Sequence, residues 1–387
     1  MSALLPGATV GVIGGGQLAR MMALEARRMG YRIAVLTPEA TDPTVSLADT
    51  WIQGSLDDPE AAARLAEASS VVTVDTEHVP ASVLEKLEPE LPVRPSSSVL
   101  HTVQDRRLQR EFLNSIDVEQ PNWRPVGSRE DFDAAVADVG VPCVLKRSHA
   151  GYDGKGQRIV KSEADVDDVW TTIGGPSIVE EFVSFDCEVS VLLARNPGGE
   201  VRFYPMAHNI HRQHVLRTTV APANVSEDVA SRGFDIGTRI ANALDLVGML
   251  AIEMYLVGGE KLLVNELAPR PHNSGHYTFG ACATSQFEQH VRAVLGLPLG
   301  DTSLLRPAAM VNLFGDLWND GTPNWIEVLS QPETRLHLYD KVDARPGRKM
   351  GHILVLNDDP EVARKTGETL LARLEGSPPS DDRQRVA

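Results

Sequence analysis

Short apolar runs alternate with helical patterns over the first hundred residues of the chain. Each run has the length of a buried strand, and each is followed by a stretch in which apolar residues recur every three or four positions. This order predicts a βαβαβα arrangement, in which helices cover a parallel sheet. The predicted strands are ATVGVI (8–13), RIAVLT (32–37) and SVVTV (70–74), and the predicted helices are 17–29, 59–68 and ASVLEKL (81–87).

Beyond residue 100 the pattern changes to one dominated by strands. A charge-rich, helix-like stretch at 99–116 marks the entry to this middle region, and several of the runs that follow are joined by turns containing Gly or Asn. The region is therefore predicted to be α+β and mainly antiparallel. Its strand-like runs are VPCVLKRS (141–148), SIVEEFV (177–183), CEVSVLLAR (187–195), VRFYPMAH (201–208), GMLAIEMYLV (248–257) and KLLVNELA (261–268).

A third region begins near Leu305 and ends in a tail rich in Pro, Ser and charge. Its predicted strands are AAMVNLFG (308–315), TRLHLYDK (334–341) and MGHILVLN (350–357), and its predicted helix is 360–374. We therefore predict an N-terminal α/β domain at 1–100, a central α+β domain at 101–304 and a small C-terminal α+β domain at 305–376. The composition of 377–387 predicts a disordered tail.

Composition and charge narrow the class of protein. The chain has 387 residues and a formal net charge of −16, so its field would repel nucleic acid and anionic membrane surfaces. An anionic ligand must therefore meet a local basic cluster. The three cysteines are scattered without C-x-x-C spacing, which predicts neither disulfides nor a zinc site and favours a cytoplasmic location. Neither an export signal nor a membrane span is indicated.

The glycine-rich segment GVIGGGQLARMM (11–22) is the first candidate ligand site. Its spacing, G-x-G-x-x-A between a predicted strand and a predicted helix, is typical of a dinucleotide fingerprint. A dinucleotide site also needs an acidic residue at the end of the second strand, and here Glu39 lies beyond Pro38. A dinucleotide, another phosphate ligand and tight strand-to-helix packing all remain open. Gln17 adds a polar side chain at the helix N-terminus, where an anion can bind.

The segment VLKRSHAGYDGKGQ (144–157) is a second candidate phosphate site. Lys146 ends an apolar strand, and the glycines that follow surround Lys155. Closely spaced glycines let backbone amides approach a phosphate, and the two lysines supply positive charge. The alternative is a flexible surface hairpin.

A pair of carboxylates in apolar strands suggests a metal site. If Gly259 and Glu260 form a two-residue type II′ loop, Glu253 lies directly opposite Glu266. Facing carboxylates repel each other and are costly to bury, and a magnesium ion bridging nucleotide oxygens would remove both penalties. The alternatives are a shifted register or an arginine partner for each glutamate. Asn265 offers another oxygen ligand, although strand alternation should direct it to the other face.

Two further segments are candidates for substrate contacts. APRPHNSGHY (268–277) follows the second strand of this hairpin, and such a loop either presents Arg270 and His272 to a substrate or is a structural turn. YDKVDARPGRKMGH (339–352) concentrates basic residues in an acidic protein. That cluster is either the local basic patch or a solvated face.

With these motifs in view, the chain closely resembles the ATP-grasp family, and within it the carbon–nitrogen ligases that carboxylate the amine of aminoimidazole ribonucleotide in purine biosynthesis. The segments that carry the resemblance span nearly the whole chain. They are GVIGGGQLARM, KRSHAGYDGKGQ, HNIHRQHVLRTT, NELAPRPHNSGHYT and YDKVDARPGRKMGH. The resemblance implies a Rossmann-like N-terminal domain without NAD or flavin, a central ATP-grasp domain and a small C-terminal domain. It also implies a homodimer, ATP with two magnesium ions, and bicarbonate as co-substrate.

The resemblance implies roles for individual residues of the nucleotide site. The residues expected to bind the ATP phosphates are Lys146 and the loop Gly151, Tyr152, Asp153, Gly154, Lys155, Gly156 and Gln157. The residues expected to contact adenine are Glu180, Glu181, Phe182 and Val183. Glu188 is expected to bind the ribose. Arg106, His211 and Asn265 are further nucleotide contacts, and Glu253 and Glu266 are the magnesium ligands.

The resemblance also implies the remaining sites. The residues expected to bind aminoimidazole ribonucleotide are Gln17, Leu18, Glu77, Asn273, Lys341, Arg348 and Lys349. Tyr152, Lys155, Arg270 and His272 are expected nearest bicarbonate. The chain departs from its relatives at Asp75-Thr76, where Glu-Phe is common, and this affects the expected shape of the amine pocket.

Three other functions remain as alternatives. A formate-dependent glycinamide ribonucleotide transformylase shares the nucleotide residues, but Asn273 and Gln17 both favour the carboxylating enzyme. A dinucleotide-dependent oxidoreductase leaves the paired glutamates unexplained. A nucleotide-binding regulatory protein without turnover is the third.

Overall fold

The computed structural model describes residues 3–149 and 156–376 of the chain, and the predicted tail at 377–387 lies outside them. The N-terminal region contains strands β1 (Thr9–Ile13), β2 (Arg32–Thr37), β3 (Thr50–Gln53) and β4 (Val71–Val74). Its helices are α1 (Gln17–Arg28), α2 (Pro59–Glu67) and α3 (Ala81–Leu87). These bounds match the predicted runs closely, apart from β3.

The N-terminal strands form a parallel sheet in the order β3-β2-β1-β4, which confirms the predicted topology. Helices pack on it, so β1 and β4 read as continuous apolar runs. Strand β3 was missing from the prediction because it lies at the sheet edge. Among its four residues only Ile52 is buried, which leaves no apolar run to recognise.

Two helices, α4 (Ser97–Gln104) and α5 (Arg106–Ser115), connect the N-terminal region to the middle one. They replace the single helix predicted at 99–116. The break falls at Asp105, whose extended backbone leaves the helix while its side chain accepts a 2.7 Å hydrogen bond from the Arg107 amide. Asp105 therefore caps α5 and starts it in a new direction.

A small antiparallel sheet follows, with the order β5-β8-β6-β7. Its strands are β5 (Trp123–Val126), β6 (Cys143–Arg147), β7 (Gln157–Val160) and β8 (Ser177–Glu181). Helices α6 (Arg129–Val139) and α7 (Val166–Ile173) cover one face and enclose a separate core around Phe132 and Leu145.

The rest of the chain builds one nine-stranded sheet in the order β14-β13-β9-β11-β12-β15-β17-β16, with β10 paired to β9. Its middle-region strands are β9 (Cys187–Arg195), β10 (Val201–Phe203), β11 (Ala207–Arg212), β12 (Val215–Ala221), β13 (Gly248–Val257) and β14 (Lys261–Ala268). The accompanying helices are α8 (Glu227–Ala243), α9 (Thr278–Ala281) and α10 (Gln286–Leu295).

The C-terminal region continues this sheet and does not form one of its own. It contributes β15 (Ala308–Phe314), β16 (Thr334–Leu338) and β17 (Lys349–Leu356), with helices α11 (Ile326–Leu329) and α12 (Pro360–Leu374). The seam is the antiparallel pairing of β12 with β15, where Thr219 faces Met310. Helix α12 has the predicted bounds because Asp359 caps its first turn. No helix in the described parts of the chain is long and apolar enough to cross a membrane.

Candidate functional site

A cavity of about 990 Å³ lies where the N-terminal sheet meets the β13–β14 hairpin and the loop that follows it. Many of the residues proposed from the sequence line this one cavity, although they are spread over more than 300 positions of the chain. They are Gln17, Leu18, Glu77, Arg106, Lys146, Gln157, Glu188, His211, Glu253, Asn265, Glu266, Arg270, His272, Asn273 and Lys349.

The two hairpin glutamates face each other, as predicted, but the turn is different. The loop contains three residues, Gly258 to Glu260, and the first pair after it is Val257 with Lys261. With that loop alone, Glu253 would be one residue out of register with Glu266. A bulge at Asn265 restores the pairing. The predicted two-residue loop was therefore wrong, whereas the predicted Glu253–Glu266 pair is confirmed.

The bulge also changes the position of Asn265. Simple alternation directs its side chain away from the glutamates, yet Asn265 lines the same cavity and its Oδ1 accepts a 3.4 Å hydrogen bond from Lys146 Nζ. Three potential oxygen ligands, from Glu253, Asn265 and Glu266, therefore lie in one place. The alternation argument failed because it assumed a regular strand.

Helix α5 holds the bulged strand from outside. Arg110 donates to the backbone oxygens of Val264 and Asn265, each at 2.8 Å, and the side chain of Gln109 accepts a 3.1 Å hydrogen bond from Leu267 N. Strand β14 is the edge of the large sheet, so these backbone groups have no neighbouring strand to pair with. Side chains of α5 therefore satisfy the groups that the bulge and the edge leave open.

Buried charges behind this wall are balanced. Arg110 Nη2 lies 2.7 Å from Glu180 Oε1, and Lys146 Nζ lies 2.6 Å from Glu180 Oε2. Burial would raise the pKa of Glu180, but the two cations outweigh it and hold that pKa at about 2. Burial lowers the pKa of Lys146, and Glu180 opposes this. The carboxylate thus fixes Lys146 at the cavity in its cationic form.

The paired carboxylates are not balanced in this way. Burial, together with the nearby Glu266 and Glu188, raises the pKa of Glu253 to about 7, although His211 opposes the rise. Arg106 Nη1 stays 3.8 Å from Glu266 Oε2. Burial and the like charges therefore outweigh the cations that lie near Glu253.

These ligand atoms fit a hard divalent cation. Magnesium prefers oxygen ligands and usually shares its coordination between one or two carboxylates and substrate phosphates. The described residues contain no group of three or more His, Cys, Asp or Glu side chains arranged to hold a metal by themselves. Two facing carboxylates such as Glu253 and Glu266 suit a metal that also binds the phosphates of a nucleotide.

The glycine loop after β1 binds a carboxylate of the protein itself. The Gly16 amide donates a 2.8 Å hydrogen bond to Asp75 Oδ2, and a Cβ on Gly14, whose φ is +111°, would lie 1.7 Å from Asp75 Oδ1. Burial raises the pKa of Asp75 to about 6, and the Gly16 amide opposes the rise. The anion position at the start of α1 is thus occupied by Asp75, while Gln17 and Leu18 face the cavity.

Glu77 and Arg270 form an ion pair through two hydrogen bonds. Arg270 Nη2 donates to Glu77 Oε1 at 2.8 Å, and Arg270 Nε donates to Glu77 Oε2. Burial would raise the pKa of Glu77, but Arg270 outweighs it and holds the pKa at about 2. No sequence pattern indicates this pairing, because the residues are 193 positions apart.

His272 is held as a neutral imidazole. Its Nδ1 accepts a 3.3 Å hydrogen bond from Ser274 N, which leaves the proton on Nε2. Burial and the nearby Arg270 lower its pKa to about 3.

His211 also lines the cavity, and its Nδ1 lies 3.1 Å from Glu188 Oε1. Burial would lower the pKa of His211, but Glu188 raises it.

The structure divides the basic cluster. Lys349 lines the cavity, whereas Lys341 and Arg348 do not. Lys341 Nζ donates to the Lys349 backbone oxygen at 2.7 Å, and Arg348 donates to the Asp343 oxygen at 2.8 Å. Burial and the neighbouring Arg348 and Lys349 lower the pKa of Lys341 to about 8. Of the three predicted basic contacts, Lys349 thus lines this cavity, and Lys341 supports its backbone.

The positions proposed for adenine also lie outside this cavity lining: they are Glu180, Glu181, Phe182 and Val183, and Gly156 is likewise absent from it. Glu180 is instead buried between Arg110 and Lys146. The proposed contacts Gly151, Tyr152, Asp153, Gly154 and Lys155 fall outside the described residues.

Sequence reasoning missed an aromatic pair on the cavity wall. Tyr255 and Phe185 both line the cavity, with ring centroids 4.7 Å apart and planes at 14°. Tyr255 follows Glu253 by two residues in β13, so strand alternation could have placed it on the same face. Phe185 lies outside any strand and carried no such signal.

Comparison with known proteins gives consistent matches along the chain. Three family models match in succession: the ribonucleotide synthetase preATP-grasp domain at residues 7–104, the ATP-grasp domain at 111–287 and the phosphoribosylaminoimidazole carboxylase C-terminal domain at 308–366. The N5-carboxyaminoimidazole ribonucleotide synthase of Bacillus subtilis is 41% identical over 353 residues, which cover 90% of this chain and 92% of the relative. That of Brucella melitensis is 42% identical, with 91% and 97% covered.

Solved structures show the same similarity. An N5-carboxyaminoimidazole ribonucleotide synthetase in its ADP complex superposes with a TM-score of 0.91 and 41% identity, covering 97% of this chain and 98% of the other. The Aspergillus clavatus N5-carboxyaminoimidazole synthase in complex with ADP and 5-aminoimidazole ribonucleotide gives a TM-score of 0.87 and 29% identity, with 96% and 100% covered.

Proposed function

The chain belongs to the ATP-grasp family and, within it, to the N5-carboxyaminoimidazole ribonucleotide synthases, and on this basis we propose that it uses ATP and bicarbonate to carboxylate the amine of 5-aminoimidazole ribonucleotide. The products are N5-carboxyaminoimidazole ribonucleotide, ADP and phosphate, and the reaction belongs to purine (IMP) biosynthesis. One observation carries the proposal within this structure. A single cavity joins the Glu253–Glu266 pair and Lys146 to Gln17, Asn273 and Lys349, so two ligands can meet there.

The reaction proceeds in two steps. A bicarbonate oxygen attacks the γ-phosphorus of ATP, the bond to the β-phosphate oxygen breaks, and carboxyphosphate and ADP form. The amine nitrogen then forms a bond to the carboxyl carbon as phosphate leaves and the amine loses a proton. The carbon reaches the amine either directly from carboxyphosphate or as released carbon dioxide. Both routes give the same carbamate.

The nucleotide wall, defined as Arg106, Lys146, Glu253, Asn265 and Glu266, holds the phosphates of ATP. Lys146 offers positive charge to the transferring phosphoryl group and is kept in place by Glu180 at 2.6 Å. Two magnesium ions bound by Glu253 and Glu266 would neutralise further charge on that group. Glu188 is proposed to hold the ribose, and His211, whose Nδ1 lies 3.1 Å from Glu188 Oε1, is proposed as a further nucleotide contact.

The substrate wall, defined as Gln17, Leu18, Glu77, Asn273 and Lys349, holds the ribonucleotide. Arg270 retains N–H groups beyond the two that bind Glu77, and these can bind the carboxyphosphate anion. His272, neutral and protonated at Nε2, can donate a hydrogen bond there without adding charge. Tyr152 and Lys155 are proposed near bicarbonate from the resemblance alone.

Substrate omission tests this proposal directly. ADP release should require magnesium, bicarbonate and 5-aminoimidazole ribonucleotide together, because the phosphoryl acceptor and the amine both belong to the productive complex. Formate with glycinamide ribonucleotide should give no ADP, and no reduced nicotinamide should be consumed. Turnover with formate would support the transformylase alternative, nicotinamide oxidation would support an oxidoreductase, and no turnover with any set would support a regulatory protein.

The homodimer and the cytoplasmic location stay predictions from the resemblance and the composition. Light scattering after size-exclusion chromatography would check the first, since a dimer has twice the mass of the 42.0 kDa chain. Cell fractionation would check the second.

A further inference from the structure

A buried asparagine outside the cavity lining holds one of the residues proposed to bind the substrate. Asn312 lies on β15 of the C-terminal region and is completely buried. Its Nδ2 donates to Asn273 Oδ1 at 2.7 Å, and its Oδ1 accepts from Asn273 Nδ2 at 3.0 Å. The two amides therefore form a closed pair with two hydrogen bonds.

A third contact fixes the orientation of this pair. Asn312 Nδ2 also donates to the backbone oxygen of Leu216 at 2.9 Å. A carbonyl oxygen can only accept, so the nitrogen end of the Asn312 amide must face Leu216. Once Asn312 is oriented in this way, the paired amide must present its oxygen to Nδ2 and its nitrogen to Oδ1. Asn273 thus has one permitted orientation.

We infer that Asn312 is a positioning residue that fixes the orientation of the Asn273 amide, and so determines which hydrogen-bonding group the cavity offers to the ribonucleotide. The pair uses one N–H and one lone pair of Asn273. The second N–H and the second lone pair remain for the cavity, which Asn273 lines. This inference rests on the proposed function, in which Asn273 contacts the ribonucleotide.

The same arrangement selects against aspartate at position 273. An ionised aspartate has acceptors only, so one of its oxygens would face Asn312 Oδ1 with no hydrogen between them. Asn312 cannot turn to offer a second N–H without losing Leu216. A specificity-determining contact of the substrate wall is therefore set by a strand of another region.

Replacement of Asn312 by leucine, which has a similar size and lacks the amide, tests the inference. The KM for aminoimidazole ribonucleotide should rise about tenfold, since about 1.4 kcal/mol corresponds to a factor of ten and one well-placed hydrogen bond contributes about that much. The KM for ATP should not change. Asn312→Thr is the second variant, because its hydroxyl can still donate to the Leu216 oxygen while the pairing with Asn273 is lost.

Asn209→Leu is the matched control. Asn209 lies on β11 of the same sheet, is 3% exposed, and pairs with the side chains of Ser190 and Thr219 at 2.5 and 3.0 Å; it neighbours Glu188 and does not line the cavity itself. Its loss should lower the melting temperature about as much as Asn312→Leu does, with the KM for the ribonucleotide unchanged. A purely structural role for Asn312 predicts the same behaviour for the two variants.

Asn273→Leu separates the inference from the proposed function. If it raises the KM for the ribonucleotide while both Asn312 variants keep the wild-type value, the positioning role is overturned and the role of Asn273 stands. If Asn273→Leu leaves that KM unchanged, both roles are overturned. If the wild-type enzyme released ADP at a rate that does not depend on the ribonucleotide, the proposed function itself would be contradicted.

Discussion

The nucleotide wall and the substrate wall of the cavity are built in different ways. Three of the five residues of the nucleotide wall come from one hairpin, 248–268, and two backbone oxygens and one amide of that hairpin are held by neighbouring residues of α5. The substrate wall takes its residues from four segments between Gln17 and Lys349. Most of the nucleotide wall comes from one hairpin, whereas the substrate wall exists only after the N-terminal and C-terminal regions have met.

The electrostatic states of the walls also differ. Burial and Glu266 raise the pKa of Glu253 on the nucleotide wall to about 7, whereas Arg270 holds the pKa of Glu77 on the substrate wall at about 2 against the effect of burial. A cation from outside the protein would therefore favour the ionised form of Glu253. The substrate wall already contains its own counter-charge, so metal removal should weaken ATP binding far more than ribonucleotide binding.

The largest expected effect comes from removing one carboxylate of the pair. Glu266→Ala should lower the rate of ADP formation by at least about 10²–10³-fold, because the phosphoryl group loses its main source of positioned charge. Ribonucleotide affinity, measured by calorimetry without ATP, should stay within twofold. Glu260→Ala, at the exposed turn of the same hairpin, should keep full activity. Near-normal turnover of a folded Glu266→Ala enzyme would refute the magnesium assignment.

The support behind the nucleotide wall gives the next largest effect. Arg110→Met should lower the free energy of unfolding by about 3 kcal/mol, since a buried ion pair loses one partner and two backbone oxygens lose their donor. Denaturant titration measures this. The KM for ATP should rise while that for the ribonucleotide changes little.

Arg107→Met provides the control, because that side chain is half exposed and its ion pair with Glu111, at 4.0 Å, is long. It should change stability by no more than about 0.5 kcal/mol. A loss of ribonucleotide affinity equal to the loss of ATP affinity in Arg110→Met would show that the two walls are not separate.

Histidines behind the substrate wall are expected to make the free energy of unfolding fall at acidic pH. Behind it lies a histidine stack of His276, His337 and His352, in which the rings of His337 and His352 are 4.4 Å apart. Burial and Arg335 lower the pKa of His337 from 6.5 to about 4. As the pH falls, His337 is therefore protonated in the unfolded chain before it is protonated in the folded protein. Stability is lost as the pH falls below 6.5.

His337→Phe should reduce that loss. Between pH 7 and pH 5 the wild-type free energy of unfolding should fall by about 2 kcal/mol more than that of the variant, as 1.5 pH units at 1.36 kcal/mol each indicate. Denaturant titrations at the two pH values measure the difference. His101→Gln, at an exposed position of α4, should behave like wild type. Equal acid sensitivity of His337→Phe and wild type would contradict the burial argument.

The smallest effect concerns the glycine loop. Gln17→Ala should weaken ribonucleotide binding about fivefold to tenfold, the range expected for one lost hydrogen bond, and should spare ATP. Calorimetric titration of each ligand separately measures both. Loss of ATP affinity alone would place Gln17 on the wrong wall.

Local pattern was enough to predict most strands, because alternation is a property of neighbouring residues. The predicted Glu253–Glu266 pair is correct only because the bulge at Asn265 compensates for the third residue of the turn. The bulge at Asn265 could not be predicted, since Arg110 and Gln109, which hold it, lie about 155 positions earlier. The continuation of the large sheet into β15 likewise depends on a pairing between distant segments.

The residues of the substrate wall were predicted mainly from the resemblance to the ATP-grasp family. The basic cluster showed that positive charge was available, but not that Lys349 faces the cavity while Lys341 supports its backbone. The glycine loop left a dinucleotide, another phosphate ligand and tight packing open, and the structure has a carboxylate of the protein at the start of α1. That carboxylate is Asp75, which no spacing rule relates to Gly16.

The central claim is that the carbon of bicarbonate is transferred to the ribonucleotide amine at the expense of ATP. It is tested most directly by incubating the enzyme with ¹³C-bicarbonate, magnesium ATP and 5-aminoimidazole ribonucleotide, and by following the carbamate carbon by NMR beside ADP. The account predicts one labelled carbamate for each ADP. Formation of ADP without labelled carbamate would contradict it.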